Sequence, residues 1–307
     1  MSFLLAAACT CSGGGEASGP RATLTLNWFP EAEHGGFYAA EVHGLFAAQG
    51  LDVRIQAGRP DAPVVTQVAT GRVSYGVADA SEVLLARAQD VPVVAVAAGL
   101  QHNPRCILVR ESAGIARLEE LRALELAMNV REPFAQVMQR KLPLEDVTVV
   151  PYAGNIAPFL ANERYAQQAY VFSEPLLAEA EGLEVRCLMT SDLGFDPYAS
   201  LLVTSEDRIR DHPEEVGAMV RAVAAGWRRY VEDPSAANRA IHAANPEMSL
   251  EILARGAERI AELARAPEGA GVMSEARWRE LGEAMVEADL IEVEVDVSGA
   301  FELRFLP

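Results

Sequence analysis

Residues 27–40 read NWFPEAEHGGFYAA, and the fold follows from how this stretch is read. Before it, the run from Ala22 to Trp28 (ATLTLNW) alternates apolar with small polar residues, which predicts a strand. After it, from Gly36 to Phe46, the apolar residues recur at helical spacing. The quoted segment is therefore a βα loop. Open α/β sheets bind ligands at such loops, where strands end in a crevice and helix N-termini present free N–H groups. The loop carries the means to hold a flat ligand: the amide of Asn27, the rings of Trp28 and Tyr38, and the imidazole of His34. The pair Gly35-Gly36 would let a ligand come close to the backbone.

Outward from this loop the same alternation repeats. Strands are expected over 51–56, 73–77, 93–98 and 105–110, with a helix ending at Ala69 and another running from a Ser81 cap to Ala88. This βα repeat predicts a parallel sheet. The pattern then restarts: short helix 118–121, strand 126–130, helix 133–140, strand 147–150, helix 156–161, strand 169–172, helix 174–181. Residues 200–204 read as a return strand, and after them the chain is almost entirely helical over 214–231, 234–244, 250–263 and 274–286. The reading is an α/β protein of two lobes, residues 21–108 with 200–307 and an inserted 109–199, joined at a hinge and wrapped by C-terminal helices. The final segment IEVEVDVSGAFELRFLP is either a strand pair on a lobe or an exposed tail.

Composition narrows the function. The 307 residues carry a net charge of −18, and Lys141 is the only lysine. Nucleic-acid phosphates and anionic membranes reward basic patches, so neither is an expected partner. The first twenty residues, a short apolar run to Cys9 followed by a Gly/Ser-rich tract, read as the remnant of a lipoprotein signal and a flexible linker, with Cys9 as the lipidated residue. Cys106 and Cys187 have no metal-ligand spacing and read as two small buried hydrophobes.

The segment LNWFPEAEHGGFYAAEVHGLFAAQGLDV carries a W-x-P, an H-x-G-x-Y-x-A and a closing GLDV. With VVTQVATGRVSYGVADASEVLLARAQ and VFSEP, it resembles a family of periplasmic substrate-binding proteins. That family joins the ABC-importer proteins for nitrate, sulfonates and taurine with the thiamine-pyrimidine proteins, among them the formyl-aminopyrimidine binder and the yeast-type pyrimidine synthase. The resemblance implies a type II periplasmic-binding-protein clamshell. It also implies a monomer outside the cytoplasm, a membrane permease as partner, no cofactor, and a small flat nitrogen-containing ligand taken up by hinge closure. By the same motif Glu174 is implied to receive an exocyclic amine, although a glutamate between Ser173 and Pro175 also suits the first turn of a helix. Ser81, Gln101, Asn129, Tyr152, Asn155 and Tyr198 stand at other strand ends as further candidates. Arg105 and Arg131 are the cations placed to meet an oxyanion, fewer donors than a sulfonate or nitrate site needs. The alternative is a pyridoxal-phosphate- and iron-dependent pyrimidine synthase. That chemistry calls for a cleft lysine and a cysteine-rich metal motif. Lys141 lies instead at the end of a predicted helix, and the cysteines do not cluster.

Overall fold

The computed structural model describes residues 21–60, 62–265, 270–292 and 295–306. The expected leader with Cys9 lies outside them. In chain order the elements are β1 (Arg21–Thr25), α1 (Gly35–Val42), α2 (Leu45–Ala48), β2 (Asp52–Gln56), α3 (Val64–Ala69), β3 (Tyr75–Ala78), α4 (Ala80–Arg87) and β4 (Val93–Leu100). There follow β5 (Arg105–Arg110), β6 (Glu125–Ala127), α5 (Pro133–Lys141), β7 (Thr148–Val150), α6 (Ala157–Ala161), β8 (Tyr165–Tyr170), α7 (Glu174–Ala180) and β9 (Val185–Met189). The chain closes with β10 (Ala199–Ser205), α8 (Glu206–Asp211), α9 (Pro213–Glu232), α10 (Ser235–Ala244), α11 (Leu250–Leu263) and α12 (Glu275–Glu287). No helix among the described residues is long and apolar enough to cross a membrane.

Two five-stranded sheets share one plan, β2-β1-β3-β10-β4 and β7-β6-β8-β5-β9. In each, four strands run the same way. The fourth position is filled by a strand of opposite direction, β10 in the first sheet and β5 in the second. The expected parallel sheet is thus corrected to a mixed one. Both inserted strands sit at the passages between the sheets, residues 101–104 and 194–198, so β5 belongs to the second sheet and the change of lobe falls before Arg105, ahead of the expected boundary at 108/109. A strand arriving from the other lobe has no helical crossover to force parallel pairing.

The largest core lies beneath the first sheet, where α9 buries Trp227 and Tyr230 against α1. This contact explains the glycine pair of the opening stretch. A Cβ at Gly36 would fall 2.3 Å from the Trp227 ring, and one at Gly35 would fall 2.1 Å from Tyr230. From the other side, a Cβ at Gly226 would lie 2.2 Å from the Gly36 carbonyl oxygen. Glycine here lets two helices meet at backbone distance. Tyr38 packs into the same core with 6% exposure, where burial and the nearby Glu41 push its phenol up to about 12.

Three further expectations are revised. Cys106 and Cys187 are joined in a disulfide between β5 and β9, with Cα atoms 5.4 Å apart, and are not separate buried thiols. Helix α4 is capped by Asp79, two residues ahead of Ser81, and the Glu82 carboxylate accepts the Asp79 N–H at 2.9 Å. The described residues of the C-terminal segment form no strand pair and are not an exposed tail: a 3₁₀ turn at Val297–Ala300 leads Phe301 into a bridge with Ala95, its ring stacked on Trp278 at 5.3 Å.

Candidate functional site

A cavity of about 530 Å³ lies between the lobes, at the carboxyl ends of the parallel strands of both sheets. The first lobe contributes Asn27, Trp28 and Glu31 from the β1–α1 loop, Asp79, Ser81 and Glu82 from the start of α4, and Asn103 from the passage into β5. The second contributes Arg105, Asn129, Arg131, Glu132, Phe134, Tyr152, Gln168, Tyr170 and Glu174. Trp28 stands at the rim, edge-on to Phe29 with ring centres 5.7 Å apart, and a Cβ at Gly154 on the opposite lobe would lie 3.8 Å from its ring.

Of the residues expected to bind, Asn27, Trp28, Ser81, Tyr152 and Glu174 line this cavity, as does Asn129. The others are occupied elsewhere. Gly35 and Tyr38 serve the α1–α9 packing. The Gln101 amide donates to the Val272 carbonyl at 3.0 Å. Tyr198 Oη accepts the Ser274 N–H at 3.1 Å beneath the Arg277 guanidinium, tying β10 to α12. Asn155 folds back on its own exposed turn through the Ala153 carbonyl and the Ala157 N–H. Lys141 lies outside the cavity, donating to the Leu193 carbonyl at 3.0 Å. Among the described residues no group of three or more His, Cys, Asp or Glu is arranged to hold a metal ion.

His34 is fully buried behind the cavity wall rather than in it. Its Nδ1 accepts the Glu31 N–H at 3.2 Å, so in the neutral ring Nε2 carries the proton and donates to Asn27 Oδ1 at 2.9 Å. Burial lowers the imidazole to about 3, which keeps it neutral and the tautomer fixed. His34 thus orients Asn27, and Asn27 is the residue that meets the cavity. The neighbouring Glu33 is also fully buried, 3.2 Å from His34 Nε2. Burial first, then the charges of Glu31 and Asp79, raise it well above the usual carboxylate range.

Carboxyl groups dominate the charged lining of the cavity. Five carboxyl groups line it (Glu31, Asp79, Glu82, Glu132 and Glu174) against two arginines. Arg105, the central cation, is committed: Nη2 donates to Glu132 Oε2 at 2.7 Å and to Tyr170 Oη at 2.9 Å. Its guanidinium lies over the rings of Phe134 and Tyr170, at 4.6 and 4.2 Å from their centres. Of the two guanidiniums expected to meet an oxyanion, Arg105 already has its counter-ion. Asp79 is raised to about 6 by burial, against the pull of Arg105 and a 3.3 Å bond from Asn103 Nδ2 to Oδ2. Its Oδ1 is buried without a hydrogen-bond partner. Glu174 receives Tyr152 Oη at 2.6 Å on Oε1 and the Tyr170 N–H at 2.8 Å on Oε2. Glu31, pushed up to about 8 by burial and then by Glu174, accepts the hydroxyl of Ser173 across the lobes at 2.7 Å.

Sequence reasoning did not single out Glu31, Asp79, Glu82, Asn103, Glu132, Gln168 or Tyr170. Two signals were present: the acids of PEAEH inside the opening loop, and the aspartate ending the strand in YGVAD. Gln168 and Tyr170 were hidden because β8 covers Tyr165–Tyr170, and its two central glutamines mask a buried strand that had been placed later, at 169–172. The Gln168 carbonyl accepts the Asn129 N–H at 2.7 Å, one reason a buried strand carries that glutamine.

The passages between the lobes are pinned beside the cavity. Asp196 accepts the Asn103 N–H at 2.7 Å and contacts His102 Nδ1 at 2.7 Å, so one carboxylate holds both. Asn103 then reaches Asp79 with its amide, which links the hinge to the cavity wall.

Comparison with known proteins agrees with this geometry. The family model described as NMT1/THI5 like matches residues 31–237. The riboflavin-binding protein RibY of Chloroflexus aurantiacus is 26% identical over 302 residues, covering 93% of this chain and 86% of the relative. The formylaminopyrimidine-binding protein of Halalkalibacterium halodurans is 25% identical over 222 residues, covering 70% of this chain and 67% of its own. The structure of the alkanesulfonate-binding protein SsuA from Xanthomonas axonopodis pv. citri, bound to MOPS, superimposes with a TM-score of 0.70 at 14% identity. That match covers 93% of this chain and 99% of the other.

Proposed function

The chain belongs to the NMT1/THI5-like family, and on that footing we propose that it is the substrate-binding component of an ABC importer. It captures a small, flat, nitrogen-containing ligand between its lobes by hinge closure and presents the closed form to a membrane permease. The observation that carries this reading is the cavity itself, aromatic at the rim and lined by carboxyl groups, with its central arginine already paired. Ring faces at Trp28 contribute apolar area and about 0.5 to 1.5 kcal/mol of ring geometry. Carboxylates accept from amine and ring N–H groups in charge-assisted bonds of about 1.5 to 3 kcal/mol. The fold is shared with sulfonate binders, but a sulfonate entering this cleft would face Glu31, Asp79 and Glu174 with Arg105 engaged elsewhere. Two relatives are named for flat nitrogen heterocycles, a flavin and a pyrimidine, which supports the same ligand class.

The protein works outside the cytoplasm, tethered through a lipidated Cys9. The Cys106–Cys187 disulfide fits that placement, because such bonds persist in oxidising compartments. Thermal denaturation of the purified protein against aminopyrimidines, their formylated derivatives, riboflavin, alkanesulfonates, taurine and nitrate tests the ligand class. A ligand at 100 times its Kd adds about 2.7 kcal/mol to the folded state, a rise of roughly 5 °C. A rise with nitrogen heterocycles alone is expected; a rise confined to sulfonates or nitrate would refute the reading.

A further inference from the structure

Helix α11 belongs to the first lobe, yet it touches the second. It packs on the 3₁₀ turn Ala32–His34 of the opening loop and, across the lobes, on α7. Phe172 and Leu176 of the second lobe are buried in the first-lobe core beside Leu253, Ala257 and Ile260 of α11. At the centre of this seam is Gly256. A Cβ there would lie 2.9 Å from the Phe172 carbonyl oxygen and 3.0 Å from the Ala32 Cβ, inside the roughly 3.5 to 4 Å at which non-bonded carbons rest. The missing side chain lets the backbone of the second lobe close on a first-lobe helix. The seam adjoins both the hinge and the cavity. At the C-terminal end of α11 the Leu263 carbonyl accepts the N–H groups of Gln101 and His102 at 2.8 and 3.2 Å, which anchors the first passage between the lobes. That passage ends at Pro104, whose carbonyl accepts the Val171 N–H at 3.1 Å, next to Phe172. On the cavity side, Phe172 is followed by Ser173, whose hydroxyl crosses to Glu31, and by Glu174 in the lining. Gly256 itself stands outside the lining.

We propose that Gly256 is a positioning residue that sets the spacing of the two lobes at the cavity, acting through residues 172–174. Neither side of the contact can yield locally. Helix α11 is held from behind by α9 and α10, and the atom it meets is a main-chain oxygen, which cannot swing aside as a side chain could. A side chain at 256 must therefore displace the second-lobe turn, drawing Ser173 away from Glu31 and Glu174 away from the opposite wall. The proposal rests on the two-lobe binding reading above and is independent of which ligand is bound. A ligand that needs both walls binds only the molecules that keep the native spacing, so every such ligand loses the same factor. A residue that touched the ligand would instead change the preference between ligands.

Gly256→Ala in the full chain, compared with Gly36→Ala, provides the test. Each adds one methyl to a crowded glycine, but Gly36 meets Trp227 inside the first lobe, whereas Gly256 meets Phe172 of the second. Acrylamide quenching, measured well below both melting midpoints, needs no ligand. Trp227 and Trp278 are fully buried, so the quenching reports Trp28 at the rim. The quenching constant should rise in Gly256→Ala and stay at the wild-type value in Gly36→Ala. Titration calorimetry with riboflavin and with 4-amino-5-hydroxymethyl-2-methylpyrimidine should show both probes weakened by one common factor in Gly256→Ala, roughly tenfold if one molecule in ten keeps the native spacing. If Gly256→Ala does not fold, the double variant Gly256→Ala/Ala32→Gly, which clears the first-lobe half of the clash, takes its place with the same expectations. A lowered melting temperature with unchanged quenching, the pattern expected of Gly36→Ala, would overturn the proposal, and so would the weakening of one probe alone. If neither probe binds wild type, the ligand reading fails and the quenching comparison alone decides the role of Gly256.

Discussion

Replacing Glu174 by Gln preserves shape and turns one acceptor oxygen into a donor, and the structure dictates which one. The backbone N–H of Tyr170, 2.8 Å from Oε2, can only donate, so the Gln oxygen must stay there. The amide nitrogen then takes the place of Oε1, where the Tyr152 hydroxyl, now 2.6 Å away, can rotate its proton aside and accept. The protein should lose little stability, about 1 kcal/mol for one weakened hydrogen bond. The ligand fares worse: its amino group would meet an N–H₂ where it had met a carboxylate. Losing a charge-assisted bond of about 1.5 to 3 kcal/mol weakens Kd roughly 10- to 150-fold for amine-bearing rings. Calorimetric titration of wild type and variant with an aminopyrimidine, alongside their melting curves, separates the two effects. Equal affinity in a normally folded variant would refute the assignment of Glu174, and a melting point lowered by more than roughly 10 °C would show that the carboxylate serves the fold instead.

The remaining predictions concern the rim, the α1–α9 contact and the disulfide. Trp28→Ala should weaken heterocycle binding at least severalfold and leave the melting temperature within a few degrees, since the ring is partly exposed at the rim; a collapse in stability would place Trp28 in the core. Gly36→Ala forces a methyl to within 2.3 Å of the Trp227 ring and should cost about 1 to 3 kcal/mol, read as a lowered denaturation midpoint, with ligand affinity of the folded fraction unchanged. Reduction of Cys106–Cys187, whose partners lie 81 residues apart, should cost roughly 2 to 4 kcal/mol in urea denaturation with little change in Kd, and an unaltered midpoint would contradict it.

The sequence reading found the loop but expected His34, Gly35 and Tyr38 in a cavity they do not line, for a reason that is physical. A proline turn, aromatic rings and a glycine pair between strand and helix mark a βα loop wherever they occur, because the alternation on either side is local. What the glycines are for is not local. Gly35 and Gly36 meet Tyr230 and Trp227, nearly two hundred residues later in the chain, and nothing in HGGF distinguishes a close ligand from a close helix. His34 shows the same limit: its neighbours Asn27 and Glu31 are within the quoted stretch, yet only the folded turn shows the imidazole facing inward. Helices with strong periodicity and caps, such as Leu250–Leu263, were legible to the residue. The antiparallel entry of β10 was not, since strand direction depends on the route between lobes. The bond from Ser173 to Glu31 required both lobes to be in place, and the commitment of Arg105 to Glu132 joins residues 27 apart in sequence within the second lobe.

Tryptophan fluorescence tests the central claim most directly. The chain has three tryptophans, and Trp227 and Trp278 are fully buried in the lobes, which leaves Trp28 as the one at the cavity. Titrating an aminopyrimidine should change the emission saturably, the change should vanish in Trp28→Phe, and an alkanesulfonate should leave the emission unaltered. A response to the alkanesulfonate alone, or a heterocycle response that persists in Trp28→Phe, would contradict the account: the first on what is bound, the second on where.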